Sequence, residues 1–340
     1  MGTTQMRVTV VGAGAIGGAC AGMIQRAGYP VQLVARRDEQ AVAVNENQVE
    51  ILGIRGNWKI PVPAVAGVEK MDRETDIVLL ASKATDMLEI AEQLKSLPAH
   101  VPVVSLQNGF CEDALAEVLG RDRVIGCVTG WGATMISDHQ FEITSDGEFV
   151  IGNIDAKDDP RLADIQTLLS QVCTTRISPD ITAELYSKLI INACITSVGA
   201  LCGLYLGEML AQKNIRNLFC AVMSEAMAVS RAMDLTVPPY GGKLDYYGFD
   251  QANGFLGRIK RHLILWIVGR KYKDLKSSSL QSLHRGRKTE IDYLTGYITT
   301  HGKRLGVPTP VNDQILEMVH SIEAGTRKIS VKNLTQIQMA

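Results

Sequence analysis

The feature that most narrows the fold of this chain is a glycine-rich turn close to its start. Gly12-Ala13-Gly14-Ala15-Ile16-Gly17 follows directly on the β-branched run Val8-Thr9-Val10-Val11 and opens a stretch of small residues that ends at Gly28. A Gly-x-Gly-x-x-Gly pattern on its own says little. Between a strand and a helix it gains a mechanical meaning. Gly12 permits the tight turn, Gly14 lets the backbone approach a pyrophosphate, and Gly17 allows the helix to pack closely. The N–H groups at the helix start then meet the phosphates. Gly12, Ala13, Gly14, Ala15, Ile16 and Gly17 are therefore the candidate dinucleotide cradle.

The pattern continues along the chain. Residues 31–34, 76–80, 101–106 and 124–128 read as strands, and 17–27, 86–97 and 111–119 as helices. Strands alternating with helices imply parallel crossovers and a doubly wound Rossmann sheet. Beyond it, residues 141–144 and 149–152 flank Ser145-Asp146-Gly147-Glu148. That spacing predicts a β-hairpin on an Asp-Gly turn. Residues 160–173 predict one more amphipathic helix. From about residue 180 to about 325 helical patterns dominate. The boundary is placed near 178, with 1–178 as an NADP-binding Rossmann domain. Residues 179–340 are expected to form an all-helical domain. The fold class is α/β with a helical C-terminal half.

Composition agrees with two cores. At 340 residues the chain is too long for one ordinary domain, and 46% hydrophobic residues supply the interior. A net charge of −1 gives no global basic field, so neither nucleic acid nor an anionic membrane is an expected partner. The seven cysteines include no C-x-x-C pair, which argues against zinc and thioredoxin-like sites. No metal is expected, and an odd set of thiols suits a reducing compartment. The run Val8–Val11 is too short for a secretory signal. The apolar run 263–268, flanked by Arg258, Lys260, Arg261, Arg270 and Lys271, falls short of the roughly 20 residues that span a bilayer. A soluble cytoplasmic protein is expected.

The strand ends refine the ligand. NAD enzymes usually place Asp or Glu at the end of the second strand. Here that end reads Val34-Ala35-Arg36-Arg37, and no carboxylate precedes Asp38. A guanidinium at Arg36 matches a 2′-phosphate, which predicts NADPH; the alternative is a solvated basic turn. Lys83 and Asn108 stand at two further strand ends, where ligands of open α/β sheets bind. Either would alternatively serve as a loop or capping residue.

In the helical half, Lys188, Asn192 and Thr196 recur every four residues within an apolar run. They share one helix face, drifting slowly around it. A lysine there needs a partner or a task. Reduction of a ketone needs a proton donor, which a partly buried lysine can supply. The alternative is a lysine that snorkels to the helix edge. Ser278 and Glu290 form a second polar cluster, about 18 Å apart on an unbroken helix. Gly286 offers a break, so two helices meeting at an angle are expected. Helix capping and a solvated acid are the alternatives.

Together these residues resemble the ketopantoate reductase (2-dehydropantoate 2-reductase) family over nearly the whole chain. The resemblance rests on the glycine motif, Arg36, Lys83, Asn108-Gly109, Lys188, Asn192, Ser278, Thr289-Glu290-Ile291-Asp292, Gly296, Gly306-Val307-Pro308-Thr309-Pro310 and Asn312. It implies a Rossmann domain followed by an all-helical domain like that of 6-phosphogluconate dehydrogenase. It also implies NADPH-dependent reduction of ketopantoate to pantoate, in pantothenate and coenzyme A synthesis. Lys188 would donate the proton, and Glu290 would orient the substrate or Lys188. Asn108, Asn192, Thr196 and Ser278 would hold the substrate. Two departures stand out. Thr196 occupies a position where the family often has a second asparagine, and extra residues lie around 240–275. A related reductase of another 2-oxo acid or an imine, or a non-catalytic NADPH sensor, are the alternatives. The partner is a small 2-oxo acid, and a homodimer is allowed.

Overall fold

The computed structural model describes residues 5–242, 244–250 and 254–339. Lys243 and residues 251–253, part of the extra stretch noted above, lie outside the described residues. The chain divides into two compact units, one reaching to Leu185 and one starting at Tyr186.

The first unit holds twelve strands among the described residues. They are β1 (Val8–Val11), β2 (Val31–Ala35), β3 (Val49–Gly53), β4 (Trp58–Ile60), β5 (Ala64–Ala66), β6 (Ile77–Leu80), β7 (Val103–Ser105), β8 (Val124–Thr129), β9 (Gly132–Met135), β10 (Gln140–Ser145), β11 (Phe149–Asn153) and β12 (Thr175–Ile177). Eight form the main sheet in the order β12-β11-β8-β7-β6-β1-β2-β5. Neighbours are parallel except β11, which runs against β8. β1 lies at the switch point, with Val8 opposite both Val31 and Ile77. Strands covered on both faces need apolar residues throughout, and β1, β6 and β8 are buried along their whole length. Helices α1 (Ala15–Arg26), α2 (Asp38–Asn47), α3 (Met87–Leu94), α4 (Glu112–Leu119) and α5 (Arg161–Leu169) accompany the sheets.

A second sheet, β4-β3-β10-β9, was not expected. It corrects the predicted hairpin at Asp146-Gly147. β10 pairs with β9 and β3 in the small sheet, whereas β11 pairs with β8 and β12 in the large one. The chain therefore crosses between sheets at this point. Arg55 Nη2 holds Asp146 at 2.7 Å, and the Gly130 N–H donates to the Glu148 carbonyl at 2.8 Å. The true hairpin is β9–β10, closed where the Ile136 N–H donates to the Gln140 carbonyl at 2.9 Å.

The second unit is helical among its described residues, apart from an isolated bridge between Tyr240 and Leu244. Helix α6 (Ile181–Asn192) enters it and passes into a π turn at Ala193–Ser197, then α7 (Val198–Cys202). There follow α8 (Leu206–Ala211), α9 (Lys213–Ala232), α10 (Tyr246–Asp250), α11 (Gly254–Lys271), α12 (Ser278–His284), α13 (Thr295–Leu305) and α14 (Pro310–Glu323). In the extra stretch, α11 packs on α8, with Gly269 set against Leu210. Its other side leaves Leu256, Ile259, Leu263, Trp266 and Ile267 exposed. The segment Ile181–Cys202 has the length and hydropathy of a membrane span, yet 78% of its most apolar window is buried within the protein.

Candidate active site

The glycine loop has the geometry its sequence predicts. Gly12 sits at φ +111°, and a Cβ there would lie 2.5 Å from the Ser82 nitrogen. A Cβ on Gly17 would lie 1.9 Å from the Gly12 carbonyl oxygen, so only glycine lets α1 start this close to β1. Above Gly14 the space is open, with no atom within 4 Å of the site of a Cβ. α1 begins with no side-chain cap. Its first N–H groups lack intrahelical partners. An uncapped helix start facing open space at the end of β1 fits a diphosphate. Gln40, on α2 and buried, donates from Nε2 to the Ala13 carbonyl at 2.7 Å and so braces the loop. Nothing in the sequence distinguishes Gln40 from an ordinary helix residue.

Arg36 follows the last residue of β2 and is mostly exposed. Its Nη1 lies 2.9 Å from Asp86 Oδ2. The neighbouring Arg37 pairs instead with Asp138, at 2.6 Å. Lys83, half-buried, precedes a 3₁₀ turn at Ala84–Asp86 beyond β6. Asn108, also half-buried, lies beyond β7, and Gly109 follows with φ +96°. Gln107 ties these two strand ends together, donating from Nε2 to the carbonyl and hydroxyl of Ser82 at 3.1 and 3.2 Å. The cradle, Arg36, Lys83 and Asn108 thus all stand at the carboxyl ends of β1, β2, β6 and β7.

Close by, Glu112 opens α4 and is fully buried. Its Oε2 accepts the Cys111 N–H at 3.0 Å, and the Ser105 hydroxyl stands beside the carboxyl. Burial pushes this carboxyl up to about 7.

In the helical unit, Lys188 and Asn192 share α6 and are half-buried. Thr196 lies in the π turn and is only 4% exposed. The expected slow drift around a single helix face is altered here. Hydrogen bonds in a π turn close five residues back, which widens the turn. The serine cluster divides its duties. Ser277, buried, caps α12 by accepting the Leu280 N–H at 3.1 Å, and Ser278 beside it is exposed. α12 packs against α7 and the π turn, which gathers Ser278's helix and Asn192 onto one assembly.

The predicted break falls at Gly286, with φ +63°. Glu290, however, does not lie on a second long helix. It precedes a short 3₁₀ turn at Ile291–Tyr293, because the run between α12 and α13 is anchored elsewhere. Thr289, buried, donates from both its N–H and its hydroxyl to Glu323 Oε1 at 2.7 Å. Glu225 on α9 similarly receives the N–H groups of Val311 and Asn312, at 2.8 and 2.9 Å. These two glutamates hold the motifs from a distance, and local sequence carries no sign of either. A surface concavity of about 480 Å³, lined by residues including Lys303, Asp313, Glu317 and His320, contains none of the predicted site residues. Among the described residues no group of three or more His, Cys, Asp or Glu is placed to hold a metal.

A doubly wound sheet with a glycine cradle at its switch point, followed by a helical unit, defines the class of two-domain dinucleotide-dependent oxidoreductases. Comparison with known proteins narrows it. The model of the family described as ketopantoate reductase PanE/ApbA matches residues 8–156, and that of its C-terminal part matches 180–323. The chain belongs to the ketopantoate reductase family and is an oxidoreductase acting on CH–OH groups. It is 27% identical over 320 residues to the 2-dehydropantoate 2-reductase of Archaeoglobus fulgidus, covering 94% of this chain and 98% of that protein. The structure of a PanE/ApbA family ketopantoate reductase from Ralstonia eutropha superimposes with a TM-score of 0.79 at 26% identity, over 95% of this chain and all of the other. D-mandelate dehydrogenase with NADH and anilino(oxo)acetate gives the same TM-score at 19% identity, over 94% and 99% of the two chains, a likeness of fold.

Proposed function

We propose that this chain reduces 2-dehydropantoate to pantoate with NADPH, the step that feeds pantothenate and coenzyme A synthesis. The observation that carries the cofactor is Arg36, a guanidinium at the end of β2 where NAD enzymes have an acid. The match of both halves to one reductase family supports the substrate. In this reading residues 1–178 bind the dinucleotide, with Gly12 to Gly17 cradling the diphosphate. Arg36 takes the 2′-phosphate, and Lys83 and Asn108 line the crevice. Residues 179–340 bind the substrate.

When bound, the reduced dinucleotide supplies a hydride to the carbonyl carbon. The Lys188 ammonium donates a proton to the carbonyl oxygen, so that the ketone becomes an alcohol and the lysine is left neutral. Before that transfer its charge stabilises the oxygen as negative charge builds up. Asn108, Asn192 and Ser278 orient the substrate by hydrogen bonds, and Glu290 fixes Lys188 or the substrate hydroxyl. Thr196 is buried and shorter than asparagine, and this favours one second reading, a relative that accepts another branched 2-oxo acid. The free cysteines suit the reducing cytoplasm. A homodimer through the helical domain belongs to the same reading, with the apolar residues left exposed on α11 in its support, and sedimentation velocity tests it.

Purified protein mixed with NADPH and ketopantoate tests the proposal. Loss of the reduced-nicotinamide absorbance is expected. Turnover of other 2-oxo acids with silence on ketopantoate would favour the second reading, and cofactor binding without turnover of any would overturn both.

A further inference from the structure

We propose that Asp86 sets how strongly this chain prefers a 2′-phosphorylated dinucleotide, by holding Arg36 in an ion pair across the end of β1. The inference rests on the reading of Arg36 as the 2′-phosphate group's partner.

The sheet order supplies the geometry. β2 and β6 flank β1 on opposite sides. Arg36 leaves the end of β2, and Asp86 ends the turn that follows β6. Their contact, 2.9 Å from Nη1 to Oδ2, therefore joins the two flanks above the strand from which the glycine cradle departs. Asp86 also stands at the N-cap of α3, where aspartate usually accepts a backbone N–H of the first turn. It makes no such bond. Its oxygens go to Arg36 and, at 3.3 Å, to the Thr85 hydroxyl. The nearby acids are otherwise engaged, Asp138 with Arg37 and Asp38 with Lys70. Among the described residues Arg36 thus pairs with Asp86 alone.

The pair sits at the mouth of the crevice. The Arg36 side chain is 81% exposed and that of Asp86 31%. Ion pairs this open contribute little to stability and exchange readily with an incoming anion. A guanidinium has donors enough for two oxyanions. A 2′-phosphate on its free edge would still lie near the carboxylate, and like charges at that range repel. A 2′-hydroxyl meets the opposite situation, because a carboxylate accepts its hydrogen bond as the strand-end acid of NAD enzymes does. Asp86 consequently weakens the 2′-phosphorylated ligand, assists the other, and narrows the preference that Arg36 creates.

The test uses the full chain with Asp86→Asn, Asp86→Glu and Arg36→Ala, each checked by a thermal melt. Calorimetry measures binding of 2′,5′-ADP and of 5′-ADP, and steady-state kinetics measures kcat/KM for NADPH and NADH. Asp86→Asn should raise the affinity ratio of 2′,5′-ADP to 5′-ADP by roughly five- to tenfold. The change should shrink in ~0.5 M salt, where the charges are screened. Asp86→Glu should keep the wild-type ratio, and the kinetic ratio should follow the binding ratio. A ratio unchanged or lowered in Asp86→Asn overturns the proposal. If Arg36→Ala loses 2′,5′-ADP selectively in that case, the cofactor reading survives. Equal loss of both ligands in Arg36→Ala removes the cofactor reading, and this proposal with it.

Discussion

Lys188 lies among Tyr186, Ser187, Leu189 and Ile190, all buried, and is itself half-buried. The proposed proton donor is thus set in an apolar stretch of α6. Lys188→Ala should lower kcat by roughly a hundredfold or more, while a fluorescence titration with NADPH gives near-wild-type affinity. A kcat that stays put would take Lys188 out of the chemistry. Glu112 allows a second prediction, about stability. Its carboxyl is lifted from an ordinary 4.5 to about 7 by burial. Between those values the unfolded chain has released a proton that the folded chain still holds. Stability therefore falls as pH rises through that window, and the loss is complete above it. Glu112→Gln keeps an acceptor for the Cys111 N–H and removes the titration. It should add roughly 2–3 kcal/mol above pH 8 and nothing below pH ~4, as read from urea melts. Parallel curves for the two proteins would contradict this. Arg36 and Lys188 draw notice in the sequence because the first ends an apolar run and the second interrupts one. Gln40 and Glu112 do not, since each looks like an ordinary polar residue near a helix start. Their weight comes from segments far away that bury them.

At the scale of elements, the small residues of α1 have a reason beyond the nucleotide. A Cβ on Gly18 would lie 2.2 Å from the ring of Phe141, and one on Gly22 2.8 Å from Val49. These glycines form a groove in which the small sheet seats its apolar face, Phe141 and Ile143 being fully buried. Gly18→Val should therefore lower stability by roughly 2–3 kcal/mol. Phe141→Leu in the same chain should recover part of it, and additive losses in the double mutant would show that the two do not meet. The central parallel strands β1, β2, β6, β7 and β8 were readable because burial on both faces demands apolar runs, whereas the short parallel strands β5 and β12 were not. Nor was the small sheet. β4 and β9 are short and little buried, and β3 pairs in parallel with β10, some ninety residues on. Asp146-Gly147 carried a strong turn signal, but which strands it joins depends on partners that local sequence does not name.

Across the whole molecule, six of the seven cysteines are buried and Cys220 is the partial exception. Desolvation pushes the Cys20, Cys194 and Cys202 thiols upward, away from the reactive thiolate. A thiol reagent at pH 8 should label at most one site quickly in the folded protein and all seven after denaturation. Cys220→Ser should silence the fast phase; several fast sites in the wild type would contradict the packing described. The two-unit architecture was visible in outline, since alternating strands and helices give way to helices alone. The π turn at Ala193–Ser197 was invisible, because four-residue spacing looks regular on paper. That turn holds one residue more than an α-helix would. Deleting any one of the five would let the helix close normally with α6 and α7 still in phase, whereas tightening the turn without a deletion would swing the side chains of α7 by about 100° against those of α6. A single gap here in an alignment of two relatives is then absorbed by the turn. Proteins with identical letters on either side of it would present the same walls to a ligand and differ only at the bulge.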